Sequence, residues 1–166
     1  SDEEQIPTAR INAYLKDAPD VFVYSRSKPL SDVPEMGIGS QPIDDGNYLF
    51  TDEQKIEFLQ SEPGAEKFFH KWLGSQEFIR GKSRWCLWLG NANWDELKNL
   101  PKCRERVEAV RRYRLKSKRS QTVKAAECPA HFGTEILSDT DSILIPEVSS
   151  SRRRYIPMGF VDAEVF

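Results

Sequence analysis

The chain has 166 residues, 39% of them hydrophobic and 30% charged, with a formal net charge of −2. That is one domain's length, with apolar content enough for a core. No run approaches the eighteen or so apolar residues of a membrane span, no secretory leader is legible, and Cys86, Cys103 and Cys128 lack the paired spacing of a disulfide framework. A reducing, cytoplasmic setting is expected, with no membrane partner.

In chain order, residues 1–10 read as a disordered lead-in. Asp20–Arg26 (DVFVYSR) is β-branched and aromatic and predicts a strand. Residues 27–47 spend 21 positions largely on Pro, Gly, Ser and Asp, the mark of a long loop. Thr51 and Gln54 have the spacing of a capping box, so a helix starts there and Pro63 closes it. Gly64–Gly74 predicts a short second helix with Phe68, Phe69, Trp72 and Leu73 inward. In Ser83–Leu89 (SRWCLWL), Trp85, Leu87 and Leu89 alternate with Cys86 and Trp88. Both faces are apolar, so this is expected as a central strand buried on two sides, with Trp85, Leu87 and Leu89 in the core. Pro101 suits a first helical turn, and the longest helix is expected from there to about Arg119. Its apolar stripe, Val107, Val110, Tyr113 (or Arg114) and Leu115, is thin. Ser142–Val148 and Tyr155–Val161 predict two last strands around SSSRRR. The sum is an α+β fold, a mixed β-sheet with packed helices.

The small net charge conceals an asymmetry. Residues 1–66 carry fourteen Asp or Glu against five Lys or Arg, whereas residues 101–126 carry ten Lys or Arg against Glu105 and Glu108. Six cations fall within Arg111–Arg119 without an acid between them. A charge run is usually a solvated helix face. Here the unbalanced cations repel one another, and phosphate groups would relieve that while releasing counterions. The stretch from Pro146 to Pro157 adds an inventory suited to base edges: arginine forks for guanine, a carboxylate for the cytosine amino group, and serine hydroxyls. Its plain alternative is a hairpin turn with solvated arginines.

Catalytic arrangements are poorly supported. His70 and His131 are the two histidines, and His70 lies among apolar neighbours. Cys128 and His131 have the spacing of half a zinc site, but Cys86 and Cys103 stand too far apart to be its other half. Asp44, Asp45 and Gly46 read as a turn. No glycine-rich phosphate cradle and no Asn-Pro-Pro-Tyr or Asp-Pro-Pro-Tyr signature occurs.

Four segments in order, VFVYSRSKPLSDVPEM, GSQEFIRGKSRWCLWL, RVEAVRRYRLKSKR and VSSSRRRYIPMGFV, carry a resemblance. They are similar to the target-recognition domain of type IIL, MmeI-like restriction–modification enzymes and related adenine-specific DNA methyltransferases, from about Ile11 to the end. The resemblance implies that residues 11–166 form a sequence-specific reader of double-stranded DNA with no catalytic residue, metal or cofactor of its own. It is then a fragment of a bacterial polypeptide whose methyltransferase domain, a partner in the same chain, methylates adenine N6 with S-adenosylmethionine. A nuclease, where one is joined, would bring Mg2+. The family continues beyond the position of Phe166, which implies a recognition domain truncated at its C-terminus. Base reading would fall to Glu147, Ser149, Ser151, Arg152 and Arg153, with Glu147, Ser149 and Ser151 sharing one strand face. Phosphate contacts would fall to Ser25, Arg26, Lys28, Arg111, Arg112, Lys116, Lys118, Arg119 and Arg154. The rival is a non-catalytic RNA-binding or protein-interaction module. RNA readers stack bases on exposed aromatics, and Tyr113 and Tyr155 are the aromatics outside apolar contexts.

Overall fold

The computed structural model describes residues 7–22, 24–34, 36–136, 138–163 and 165–166. The chain forms two units, divided between Met36 and Gly37. Among the described residues of the first unit there is no helix or strand. Local polar contacts shape it: Asn12 Oδ1 accepts from the backbone N–H groups of Tyr14 and Lys16, and Arg10 pairs with Asp20 at 2.7 Å. The strand expected over Asp20–Arg26 does not form among its described residues, and Val23 lies outside them. Val21, Phe22 and Tyr24 are exposed there. β-propensity is a preference for a pleated, half-buried surface, and no strand among the described residues pairs with this segment. Of the expected lead-in, residues 1–6 also lie outside the description.

The second unit is α+β, and its pairings are antiparallel rather than mixed. Strands β1 (Leu49–Phe50), β2 (Phe69–Trp72) and β3 (Arg84–Leu87) form a sheet in the order β1-β3-β2. The strand expected around Trp85 is thus central. Cys86, Leu87 and Leu89 are fully buried or nearly so, while Trp85 is half-buried. The Trp85 indole donates to Asp52 Oδ1 at 2.7 Å, and the Lys55 ammonium lies over its ring. Burial pushes the Cys86 thiol up to about 12.

Helix α1 (Asp52–Ser61) opens on the predicted capping box and stops before Pro63. The second helix expected over Gly64–Gly74 is instead a 3₁₀ turn (Pro63–Phe68) running into β2. The reason is pairing: Phe69 faces Leu87 and Trp72 faces Arg84 across the ladder, and the strand pairing outweighs a short helix. Phe50, Phe58 and Phe69 pack edge to face at 5.1–5.7 Å between α1 and the sheet. Helices α2 (Ser75–Arg80), α3 (Trp94–Lys98), α4 (Pro101–Leu115) and α5 (Ser120–Lys124) follow, then a 3₁₀ turn (Ala125–Glu127). Strands β4 (Ser142–Leu144) and β5 (Gly159–Val161) make a separate hairpin.

The turn expected at Asp44–Gly46 is present. Asp45 and Gly46 take positive φ, and the buried Asp44 carboxylate accepts from the N–H of Tyr48. It feeds Tyr48 into the core, where the phenol donates to the Pro129 carbonyl at 2.7 Å and burial raises its pKa.

Candidate nucleic-acid interface

Helix α4 carries the first cationic element. Its inward stripe is Cys103, Val107, Val110 and Arg114, spaced four, three and four residues apart, which is one face of a helix. This corrects the expected stripe at Leu115, which is exposed, and decides its open position for the fully buried Arg114 over the exposed Tyr113. The helix start is held by Glu62, whose carboxylate accepts from the N–H groups of Lys102 at 3.0 Å and Cys103 at 2.9 Å. An acid just past the end of α1 thereby fills the role of an N-terminal cap and complements the helix dipole.

Arg114 is the fixed point of the far end. Its guanidinium donates to five backbone carbonyls: Ile43 (3.0 Å), Pro42 (2.8 Å), Ala125 (2.8 Å), Cys128 (3.4 Å) and His131 (2.7 Å). Burial, the largest influence, lowers its pKa below the ordinary arginine value, while Tyr48, Asp44 and Glu135 work the other way. Each donor of the planar fork finds an acceptor, which is what makes a buried cation tolerable. The segments on either side of α4 are tied to its last turn.

With Arg114 inward, the neighbouring cations are set outward. Arg111 and Arg112, about 100° apart around the axis, are both exposed. Arg111 reaches Glu108 at 3.9 Å, a weak exposed pair. The helix expected to run to Arg119 ends at Leu115, and Lys116 caps it. Ser117 Oγ then accepts from Arg119 N, turning the chain into α5. Lys116, Lys118 and Arg119 therefore project from a turn between two helices, beside the negative end of the α4 dipole.

The second cationic element is the connection between β4 and β5. β4 ends at Leu144, so Glu147, Ser149 and Ser151 do not lie on a strand as expected, and their shared face is not a strand face. Pro146, buried and without an N–H, ends the ladder. Glu147, Ser149, Ser151, Arg152, Arg153 and Arg154 are all exposed. A tight turn orders the middle: Ser150 O accepts from Arg153 N at 3.0 Å, and Ser150 Oγ from Arg152 N at 3.2 Å. The Arg154 guanidinium lies 5.4 Å from the centroid of Tyr155.

The hairpin that carries this loop is seated at its base. Gly159 lies so close to Phe78 of α2 that a Cβ there would come within 2.9 Å of the ring. Beyond β5 the chain returns to the edge of β2, with Phe166 N donating to Lys71 O and Phe166 O accepting from Leu73 N. The Phe166 ring meets His70, Trp88 and Phe132.

Glu135, which the sequence did not single out, joins the sheet to the segment after α5. It accepts from the Trp88 indole at 2.9 Å, from Phe132 N at 2.7 Å and pairs with His131 at 3.1 Å. Burial works to raise its pKa, but these donors outweigh it and hold the carboxyl below its ordinary value. His131 is thus engaged with a carboxylate, and no group of three or more His, Cys, Asp or Glu among the described residues is arranged to hold a metal ion. No helix among them is long and apolar enough to cross a membrane. Ser25, Arg26 and Lys28 are exposed in the first unit. Glu62 was also missed by sequence reasoning, and Arg114 was offered only as an alternative to Tyr113 on the inward stripe, without its carbonyl partners. The 103–107–110–114 spacing carried the signal for Arg114, and nothing local marked Glu62.

A family profile described as MmeI, target recognition domain, matches residues 17–166. DNA methyltransferase A of Bacillus subtilis (strain 168) is 37% identical over 163 residues, which is 98% of this chain and 18% of that protein. A solved structure, described as type IIL restriction-modification enzyme MmeI in complex with DNA, is 45% identical with a TM-score of 0.85. That match covers 96% of this chain and 21% of the other. The chain therefore spans about a fifth of the length of these relatives. With the family profile covering nearly the whole chain, it belongs to the MmeI target recognition domain family.

Proposed function

We propose that this chain reads a specific sequence in double-stranded DNA for a larger restriction–modification polypeptide. The observation that supports this best is the 45% identity, over 96% of the chain, with a relative whose structure holds DNA. The exposed cations of α4 and of the β4–β5 loop have the chemistry that such a role needs. Arg111, Arg112, Lys116, Lys118 and Arg119, with Ser25, Arg26, Lys28 and Arg154, take phosphates. These contacts fix register and carry no sequence information. Glu147, Ser149, Ser151, Arg152 and Arg153 face base edges in the major groove, where arginine forks pair with guanine O6 and N7. The base-reading residues are thus borne on an irregular loop, whose side chains are aimed by the Ser150–Arg153 turn.

The parent polypeptide methylates adenine N6 in the cytoplasm of a bacterium, with or without an endonuclease. S-adenosylmethionine supplies the methyl group, and Mg2+ would serve a nuclease; both are held elsewhere in the parent. Binding titrations across a salt series, with duplex DNA, single strands and RNA of one sequence, test the reading. Duplex should bind tightest, with log Kd changing linearly in log salt concentration. Equal or tighter binding of RNA or of single strands would overturn it in favour of a single-strand reader. Exchanging Glu147→Arg in the parent should change one base of its methylated motif while methylation persists. An unchanged motif at full activity would remove Glu147 from the reading surface.

A further inference from the structure

The β4–β5 loop exposes more apolar surface than phosphate binding can use. Val148 is 76% exposed, Tyr155 74% and Ile156 59%, in the stretch that also exposes Arg152, Arg153 and Arg154. Arginines alone would serve a polyanion, whereas an exposed tyrosine ring and valine beside them gain free energy when an apolar group covers them. Nor does the Tyr155 ring hang free. The Arg154 guanidinium lies 5.4 Å from its centroid, close enough for a cation–π contact that keeps the ring beside the arginines.

A surface that is cationic and apolar at once fits a polyanion that carries apolar groups at fixed places. In the major groove of duplex DNA that group is the C5-methyl of thymine, which neither donates nor accepts a hydrogen bond and can be read only by apolar contact. We infer that Tyr155 packs against a thymine methyl group in the recognised site, next to the bases that Arg152 and Arg153 read. The inference rests on the DNA-reading assignment above. It gives the loop two kinds of discrimination: hydrogen bonding for guanine, and shape for a 5-methylpyrimidine.

The test uses the full-length parent polypeptide and a duplex bearing its own motif, established by methylation sequencing. An adenine methyltransferase's motif contains at least one A·T pair. Each thymine on either strand is replaced singly by deoxyuridine, which deletes the methyl group and keeps every hydrogen bond. At one position, wild-type affinity should fall about fourfold, the worth of one buried methyl group. Tyr155→Ala should bind the thymine duplex more weakly and lose its sensitivity to uracil at that position, while Tyr155→Phe should keep it. Binding by the wild type that is blind to every uracil, or uracil sensitivity that persists in Tyr155→Ala, would overturn the inference. So would a Tyr155→Ala loss that is equal for motif and random duplexes, which would place the ring against the backbone or another part of the polypeptide. Lack of any preference for the motif over a scrambled duplex would instead remove the DNA-reading assignment itself.

Discussion

The two cationic elements differ in how their arginines are held. On α4, helical periodicity assigns each one a direction, and Arg114, aimed inward, is fully buried with five carbonyl partners. On the β4–β5 loop no such periodicity operates; Arg152, Arg153 and Arg154 are all exposed, and a local turn and one ring contact order them. The first element is thus part of the scaffold and the second is carried by it. That division suits the proposed DNA reader, in which phosphate contacts fix register and base contacts carry the specificity. A cluster of arginines in a sequence therefore has no single meaning; the backbone beneath decides which of them can reach a ligand.

The contrast can be broken most forcefully at Arg114. Arg114→Leu leaves five carbonyls, in buried or part-buried bonds, without their donor and should cost about 3–5 kcal/mol in denaturant unfolding. Arg114→Lys should recover little, because a compact ammonium cannot span the same acceptors. Arg153→Ala on the loop should leave stability within about 0.5 kcal/mol. Comparable losses at both positions would erase the distinction between scaffold and reader.

Glu62→Ala should come next, at about 1–2 kcal/mol, since it frees the Lys102 and Cys103 N–H groups at the start of α4. A smaller effect is expected at Glu135. Its carboxyl is held below the ordinary 4.5 in the folded protein. Its contribution is therefore complete above 4.5 and is lost as pH falls through the lowered folded value. Glu135→Gln should flatten the acid limb of a stability–pH curve, and an unchanged limb would show that its three donors do not favour the charged form. The smallest change in stability is expected from neutralising Arg111, Arg112, Lys116 and Arg119 together: within about 0.5 kcal/mol. Their signature lies in binding, where the salt slope on random duplex should fall by about 0.9 for every phosphate no longer neutralised. Unchanged affinity would mean that this end of α4 faces only solvent.

What the sequence disclosed follows from how local each determinant is. The Thr51–Gln54 box, Pro63 and Pro101 fix helix ends through neighbouring atoms, and each acts where the sequence placed it. The central strand was legible because both of its faces are apolar. Phe69–Trp72 misled because its apolar spacing suits a short helix, whereas pairing with β3, distant in sequence, makes it a strand. Phe22 and Tyr24 misled in the opposite sense, having strand propensity without a partner strand. At the site, composition located both cationic elements, but not the direction of any side chain. The sequence leaves Arg114 and Tyr113 as alternatives on the inward stripe, because the acceptors at Pro42 and Ile43 that decide between them lie 72 and 71 residues away. The loop's exposed residues were legible, while their supposed strand alternation was not, because Pro146 ends β4 ahead of them.

The Arg114 hub also has a bearing on how the chain reaches its native state. Its bonds to Ala125, Cys128 and His131 close loops of only 11, 14 and 17 residues. Those to Pro42 and Ile43 close loops of 72 and 71. Closure entropy rises with loop length, so the short connections form first and the long ones wait on the intervening sheet. A folding nucleus built on α4, α5 and the turn after them would then capture the Pro42–Ile43 segment last. In a φ-value series, substitutions in α4 and α5 should slow folding, whereas substitutions around Pro42 should mainly hasten unfolding.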